Sequence, residues 1–268
     1  GDIELRAEHA IAVRRVRVEP DAEARTASAT VVIANRSGRA APAELRLEAS
    51  NEHAPGVSAS RSIRVPAGAE HEVTISLDLG PGAALWSEFT PHPYTLDVEI
   101  ETGQGVHTHR TWFGLRDVGT EDGRITLNGR PIYLRGTLDC AIYPDTGYPP
   151  MDVAAWERVF SRVKEFGLNH VRYHSWCPPR AAFLAADRLG VYLQVEGPFW
   201  VNQGPELGLG QPIDEYVYEE TDRILAEYGN HPSFVLMAYG NEPAGPGPNG
   251  RGGPYLAEWL EQSKAEDQ

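Results

Sequence analysis

The stretch "HVRYHSWCPPRAAFLAADRLGVYLQVEG", residues 170–197, decides the fold of the C-terminal half of this chain. It reads as a short strand, "HVRYH", a short helix through "RAAFLAADRLG" and a second strand, "VYLQVEG". Two apolar strands joined by a helix form the repeating unit of a parallel sheet. On its N-terminal side, Asp152 is placed to cap a helix whose apolar positions Val153, Trp156, Val159, Phe160, Val163 and Phe166 recur every three or four residues, with Gly167 as the stop. Before that helix, "ITLNGRPIYLRG", residues 125–136, predicts a hairpin across Asn128-Gly129 leading into a buried strand over 132–136. On the C-terminal side, a longer helix over about 213–228, closed by Gly229, leads to "FVLMAYGNEPAG", residues 234–245. There a mostly apolar strand runs into an amide, a carboxylate and a proline.

Strand and helix thus alternate four times. A doubly wound sheet and a barrel both satisfy that alternation, so the position of the polar residues has to decide. They gather at the C-terminal end of each strand: Asp139, then Arg172, His174 and Trp176, then Glu196 and Trp200, then Asn241 and Glu242. A (β/α)8 TIM barrel carries its active site at that end. No glycine-rich phosphate loop follows any strand, which takes support from a nucleotide-binding doubly wound sheet. A whole barrel takes about 250 residues, so the 152 residues from 117 to 268 suffice for the first half of one.

Residues 1–116 follow a different pattern. Seven short alternating runs, among them "ASATVVIANRSG", "HEVTISLDLG" and "YTLDVEIET", are broken by turn residues about every ten positions. That spacing predicts an immunoglobulin-like β-sandwich. The expected organisation is therefore multi-domain: a sandwich over 1–116 followed by the first half of a TIM barrel over 117–268.

Composition narrows the function. A formal net charge of −14 argues against nucleic acid, which needs a clustered basic face. No segment is long and apolar enough to be read as a membrane span. Cys140 and Cys177 have neither the density of a disulfide scaffold nor a metal-ligand spacing, and are read as free thiols. No metal or cofactor is expected. No signal segment opens the sequence, which leaves a cytoplasmic protein or a secreted or periplasmic one already trimmed. Oligomeric state is not legible.

A carboxylate at the end of a buried strand is costly to ionise, which suits Glu242 to proton donation near neutral pH. The bland alternative is that Asn241, Glu242 and the proline after them simply end a strand and begin a loop. Trp176 and Trp200 are either platforms for an apolar sugar face or core aromatics.

At these residues the chain resembles glycoside hydrolase family 2, which includes β-galactosidases, β-glucuronidases and β-mannosidases. "GNHPSFVLMAYGNEP" is similar to the family's acid/base segment. "LWSEFTPHPYTLDVEI", "FGLRDV", "ITLNGRPIYLRG" and "FLAADRLGVYLQVE" agree with it in order and spacing. The resemblance implies a retaining exo-β-glycosidase acting on a carbohydrate, with Glu242 as general acid/base and Asn241 bonding the sugar next to the scissile bond. It also implies Arg172 and Glu196 as pocket residues; the structural alternative for Glu196 is a carboxylate paired to Arg172. The sequence departs from galactosidase-like members in two places. "RYHSWCPP" puts His174 one residue early as a sugar ligand, and "LDCA" replaces an Asn-Arg-His-Glu, leaving Asp139 to take over hydroxyl binding. Both departures point to a specificity away from the best-known galactosidases.

The family's nucleophile, a Glu, comes from a strand late in the barrel, so the resemblance implies an internal piece of a larger enzyme. A different class of function also fits the residues: a noncatalytic carbohydrate-binding or interaction fragment. A third is an endo-acting barrel hydrolase, which the preceding sandwich disfavours.

Overall fold

The computed structural model describes residues 5, 8–200, 207–242 and 257–263. The chain divides into two compact units, Gly1–Tyr133 with Asn230–Pro232, and Leu134–Gly229 with Ser233–Gln268.

Among the described residues the first unit opens with seven antiparallel strands: β1 (Ile11–Asp21), β2 (Thr26–Asn35), β3 (Ala41–Asn51), β4 (Ala54–Val65), β5 (Glu70–Asp78), β6 (Tyr94–Thr102) and β7 (Gly105–Phe113). They form two sheets, ordered β1-β2-β5 and β4-β3-β6-β7. Period-two alternation sends Ala27, Ala29, Val31 and Ile33 of β2, Leu45, Leu47 and Ala49 of β3, and Leu96, Val98 and Ile100 of β6 into one shared core. This is the expected sandwich.

A meander follows: β8 (Val118–Glu121), β9 (Arg124–Leu127) and β10 (Arg130–Pro131). The hairpin at Asn128-Gly129 is present, with φ of 53° and 70° at the two central residues, as a type I′ turn requires. Asn128 also ties the turn down: its Oδ1 accepts from the Asp117 amide at 2.9 Å and its Nδ2 donates to the Trp86 carbonyl at 3.1 Å. The buried strand expected over 132–136 is not there. Tyr133 is 77% exposed, and the next strand is β11 (Gly136–Asp139), exposed from Gly136 to Leu138. β11 is an outer strand of its sheet, so its apolar residues are not enclosed.

Asn230–Pro232 belong to the first unit through their contacts. β1 is an outer strand whose backbone groups at Val16 and Val18 need partners. Asn230 supplies both: its Oδ1 accepts from the Val18 amide at 2.8 Å and its Nδ2 donates to the Val16 carbonyl at 2.7 Å. Pro232 packs so closely on Gly114 that a Cβ there would lie 2.3 Å from it. Asn230→Ala orphans both backbone groups and is expected to cost about 2 kcal/mol, measured as a lower midpoint of chemical denaturation.

The second unit is a four-stranded parallel sheet, ordered β11, β12 (His170–Tyr173), β13 (Tyr192–Trp200) and β14 (Phe234–Asn241). Its helices include α1 (Val153–Glu165), α2 (Arg180–Leu189) and α3 (Pro212–Tyr228). Asp152 caps α1 by accepting from the Ala155 amide at 2.8 Å, and Trp156, Phe160 and Val163 form its buried face. α1 ends in a Schellman arrangement, with Leu168 N–H donating to the Val163 carbonyl and Gly167 N–H to that of Lys164. That ending changes one expectation. Phe166 stands at the cap, where the helical period stops, and is 81% exposed.

The strand over 234–241 is less enclosed than its apolar run suggests. Phe234, Gly240 and Asn241 are buried and the five residues between them are half-buried, because β14 is the other outer strand of the sheet.

Candidate active site

Four strand ends of the second unit bring the candidate residues together. The parallel register pairs Asp139 with Tyr173, Glu196 with Ala238, and Trp200 with Asn241. Between Glu196 and Phe199, β13 advances three residues while β14 advances two, from Ala238 to Gly240. This bulge re-aims the end of β13. It demands glycine on both strands: a Cβ at Gly197 would lie 2.5 Å from the Tyr239 carbonyl oxygen, and one at Gly240 would lie 2.2 Å from that of Phe199.

Arg172 is the hub. Its Nε donates to Glu196 Oε1 at 2.5 Å and its Nη2 to Asn241 Oδ1 at 2.6 Å. Glu196 is 1% exposed, and its second oxygen accepts from the Ser175 amide at 2.8 Å. A buried carboxylate is tolerable only when paired and hydrogen-bonded, and Glu196 meets both conditions. Asn241 is 5% exposed. Its oxygen is turned to Arg172, and its Nδ2 amide is a donor only.

Glu242 follows directly, at φ 46°, with its side chain exposed. The burial from which proton donation was expected is therefore not found among the described residues. The positive φ breaks the extended conformation directly after β14 ends at Asn241. Glu242 Oε2 accepts from Trp200 Nε1 at 3.2 Å, and Trp200 packs edge-on against His174, with ring centroids 5.1 Å apart.

Asp139 and Trp176 are held differently. Asp139 Oδ1 accepts from the Ala141 amide and Oδ2 from the Tyr143 hydroxyl, both at 2.8 Å, so its carboxylate organises its own loop. Burial, then the bond to Asp139, pushes the Tyr143 hydroxyl well above the usual tyrosine range. Trp176 Nε1 donates to the Asp139 carbonyl at 3.1 Å, and its ring meets Tyr173 and Tyr143 edge-on within an aromatic cluster. Cys177 is a free thiol that burial pushes far up, away from nucleophilic use; Cys140 is free and exposed.

Two contributors escaped the sequence reading. Ser175, at φ 57°, donates its amide to Glu196 and its Oγ to the Phe199 carbonyl at 3.1 Å. Tyr143 holds Asp139. No residue pattern marks either, since both act through a loop conformation that the strand and helix periods do not encode.

His170, under the hub, is 7% exposed, and its Nε2 has no hydrogen-bond partner among the described residues. Burial, then the nearby Arg172 charge, lowers its pKa to about 4. Below the unfolded-state value near 6.5, the unfolded chain takes up a proton that the folded one refuses. His170 therefore costs nothing above that pH. As pH falls from about 6.5 towards 4 it removes up to about 3 kcal/mol of stability. His170→Leu is expected to flatten this part of the stability-pH curve, read from denaturation midpoints between pH 4 and 7.

Residues 11–116 match the family model described as glycosyl hydrolases family 2. A β-galactosidase of Oenococcus oeni is 26% identical over 186 residues, covering 67% of this chain and 17% of that protein. The large subunit of a Latilactobacillus sakei β-galactosidase is 25% identical, covering 65% of this chain and 32% of that protein. The chain is a relative of the family 2 glycosyl hydrolases. Its fold agrees. A glycosyl hydrolase family 2 member from Bacteroides cellulosilyticus superposes with a TM-score of 0.82 at 21% identity, over 97% of this chain and 35% of that one. A GH2 β-galacturonidase from Eisenbergiella tayi, solved with galacturonate, superposes with a TM-score of 0.81 at 19% identity, over 97% and 45%. This family 2 relative thus spans between 17% and 45% of the length of those proteins.

Among the described residues there is no group of three or more His, Cys, Asp or Glu side chains fit to hold a metal ion, and no helix long and apolar enough to cross a membrane.

Proposed function

We propose that this chain carries the acid/base half of a retaining exo-β-glycosidase, β-galactosidase-like in its chemistry. In this reading the four-stranded parallel sheet is the first half of a (β/α)8 barrel, with its pocket at the C-terminal strand ends. Glu242 protonates the glycosidic oxygen while a carboxylate attacks the anomeric carbon. The leaving group departs as an alcohol, and the sugar stays on the enzyme as an ester. Glu242, now ionised, takes a proton from water, which attacks the same carbon and restores the nucleophile. Asn241 donates its Nδ2 amide to a sugar hydroxyl next to the scissile bond. Arg172, Glu196 and His174 shape the pocket, while Asp139 and Trp176 support its wall.

One observation carries the reading. Glu242 directly follows Asn241, whose amide Arg172 orients at 2.6 Å, in a chain related to glycosyl hydrolases. The nucleophile is assigned outside this chain. A retaining mechanism needs a second carboxyl about 5–5.5 Å from the acid. Of the other carboxylates at the strand ends, Glu196 has both oxygens bound by Arg172 and Ser175, and Asp139 has both bound by Ala141 and Tyr143. Galactoside and uronide glycones are both within the substrate range proposed.

A screen of nitrophenyl β-glycosides tests this, run on the full-length protein and on residues 1–268 alone. The reading expects turnover by the longer protein and none by the chain alone. Turnover by residues 1–268 would place the nucleophile inside the chain. Sugar binding without turnover by both proteins would support the noncatalytic alternative.

A further inference from the structure

The contacts around Trp200 support a more specific role than an aromatic sugar platform, one that rests on the reading of Glu242 as acid/base. Glu242 is exposed and in a left-handed backbone conformation. Trp200 reaches it with the indole N–H, at 3.2 Å from Oε2. Trp200 is itself fixed from three directions. Its backbone pairs with Asn241, directly before Glu242. Its ring packs edge-on to His174 at 5.1 Å. The preceding residue, Phe199, is 3% exposed, and its carbonyl accepts the Ser175 hydroxyl at 3.1 Å. The bulge in β13, made possible by Gly197 and Gly240, brings that carbonyl and the indole into these positions.

We propose that Trp200 is a positioning residue for Glu242: its indole N–H holds Oε2 while Oε1 carries the proton to the glycosidic oxygen, and Ser175 keeps Trp200 in register through Phe199. The indole suits this task because it is a donor only. It orients a carboxylate without exchanging the catalytic proton. A sugar platform uses the ring face instead, and phenylalanine preserves a face while removing the N–H.

The test uses the full-length protein and two aryl β-glycosides of the sugar that the wild type cleaves, one with phenol and one with 2,4-dinitrophenol as leaving group. Trp200→Phe is expected to lower kcat/KM, which reports the bond-breaking step, by about tenfold or more on the phenyl glycoside, with less than about a twofold change on the dinitrophenyl glycoside. An equal fall in kcat/KM on both substrates, as the loss of a sugar platform would give, overturns the proposal. Glu242→Gln is measured beside it. If that variant shows the leaving-group-selective loss and Trp200→Phe does not, the positioning role falls while the acid/base reading stands. If Glu242→Gln shows no selectivity, both fall. Should Trp200→Phe fail to fold, Ser175→Ala carries the test. A smaller loss confined to the phenyl glycoside supports the proposal, and no loss or an unselective one overturns it.

Discussion

Glu242→Gln in the full-length protein is expected to lower kcat on phenyl or alkyl β-glycosides by about 100-fold or more, while dinitrophenyl glycosides lose far less in the bond-breaking step. A glutamine keeps the size and can still accept from Trp200 Nε1, but its amide N–H is far too weak an acid to protonate the glycosidic oxygen. A general acid contributes about 10²–10⁴ in rate where the leaving group is a poor one. Dinitrophenolate departs without protonation, so its release does not call on Glu242. For such substrates the second step, in which Glu242 as a base activates water, becomes limiting, and a burst of dinitrophenol in rapid-mixing experiments is the accompanying sign. An equal loss for all leaving groups, with no burst, would remove Glu242 from the acid/base role.

Arg172→Met is expected to destabilise the second unit by about 2–4 kcal/mol. Removing one partner of a buried ion pair strands the other charge, at a typical cost of about 3–5 kcal/mol; the partial exposure of Arg172 moderates this. The stranded group is Glu196, 1% exposed and, among the described residues, left with the Ser175 amide. The same substitution releases the Asn241 side chain, so sugar binding weakens as well. The double variant Arg172→Met/Glu196→Gln restores part of the stability, because the neutral amide no longer needs a counter-charge. A coupling of about 2 kcal/mol in the double-mutant cycle is expected from urea denaturation followed by tryptophan fluorescence. A single-variant loss under about 1 kcal/mol would reduce the pair to an ordinary surface bridge.

The architecture was largely legible because it rests on periodicity. Alternation in β2, β3 and β6 announced the sandwich, and the three-and-four spacing of Trp156, Phe160 and Val163 announced α1. Asn128-Gly129 announced its turn because few other pairs adopt positive φ twice in succession. What failed to read out was enclosure. The strand expected over 132–136 and the burial expected of Glu242 both assumed that an apolar run implies neighbours on both sides. β11 and β14, however, are the outer strands of their sheet. Phe166 misled for a related reason, since a helical period does not state where the helix stops.

The candidate site was legible as a list of residue types at strand ends, but its wiring was not. Nothing in the spacing says that Arg172 bridges Glu196 and Asn241, or that Asp139 turns back on Tyr143. Nor does it say that Trp176 joins an aromatic cluster while Trp200 faces Glu242. Those choices depend on the bulge at Glu196–Phe199 and on left-handed residues such as Ser175 and Ala141. They are set by tertiary packing and leave no periodic trace in the sequence.

The most direct test of the central claim is chemical rescue of Glu242→Ala in the full-length protein, with a dinitrophenyl β-glycoside as substrate and sodium azide as the added nucleophile. Azide needs no base to attack the glycosyl-enzyme ester, so it bypasses the missing carboxylate. The account predicts faster turnover and a glycosyl azide of retained, β configuration. An α-glycosyl azide would make Glu242 the nucleophile, and the absence of both rescue and azide product would contradict its role as the acid/base.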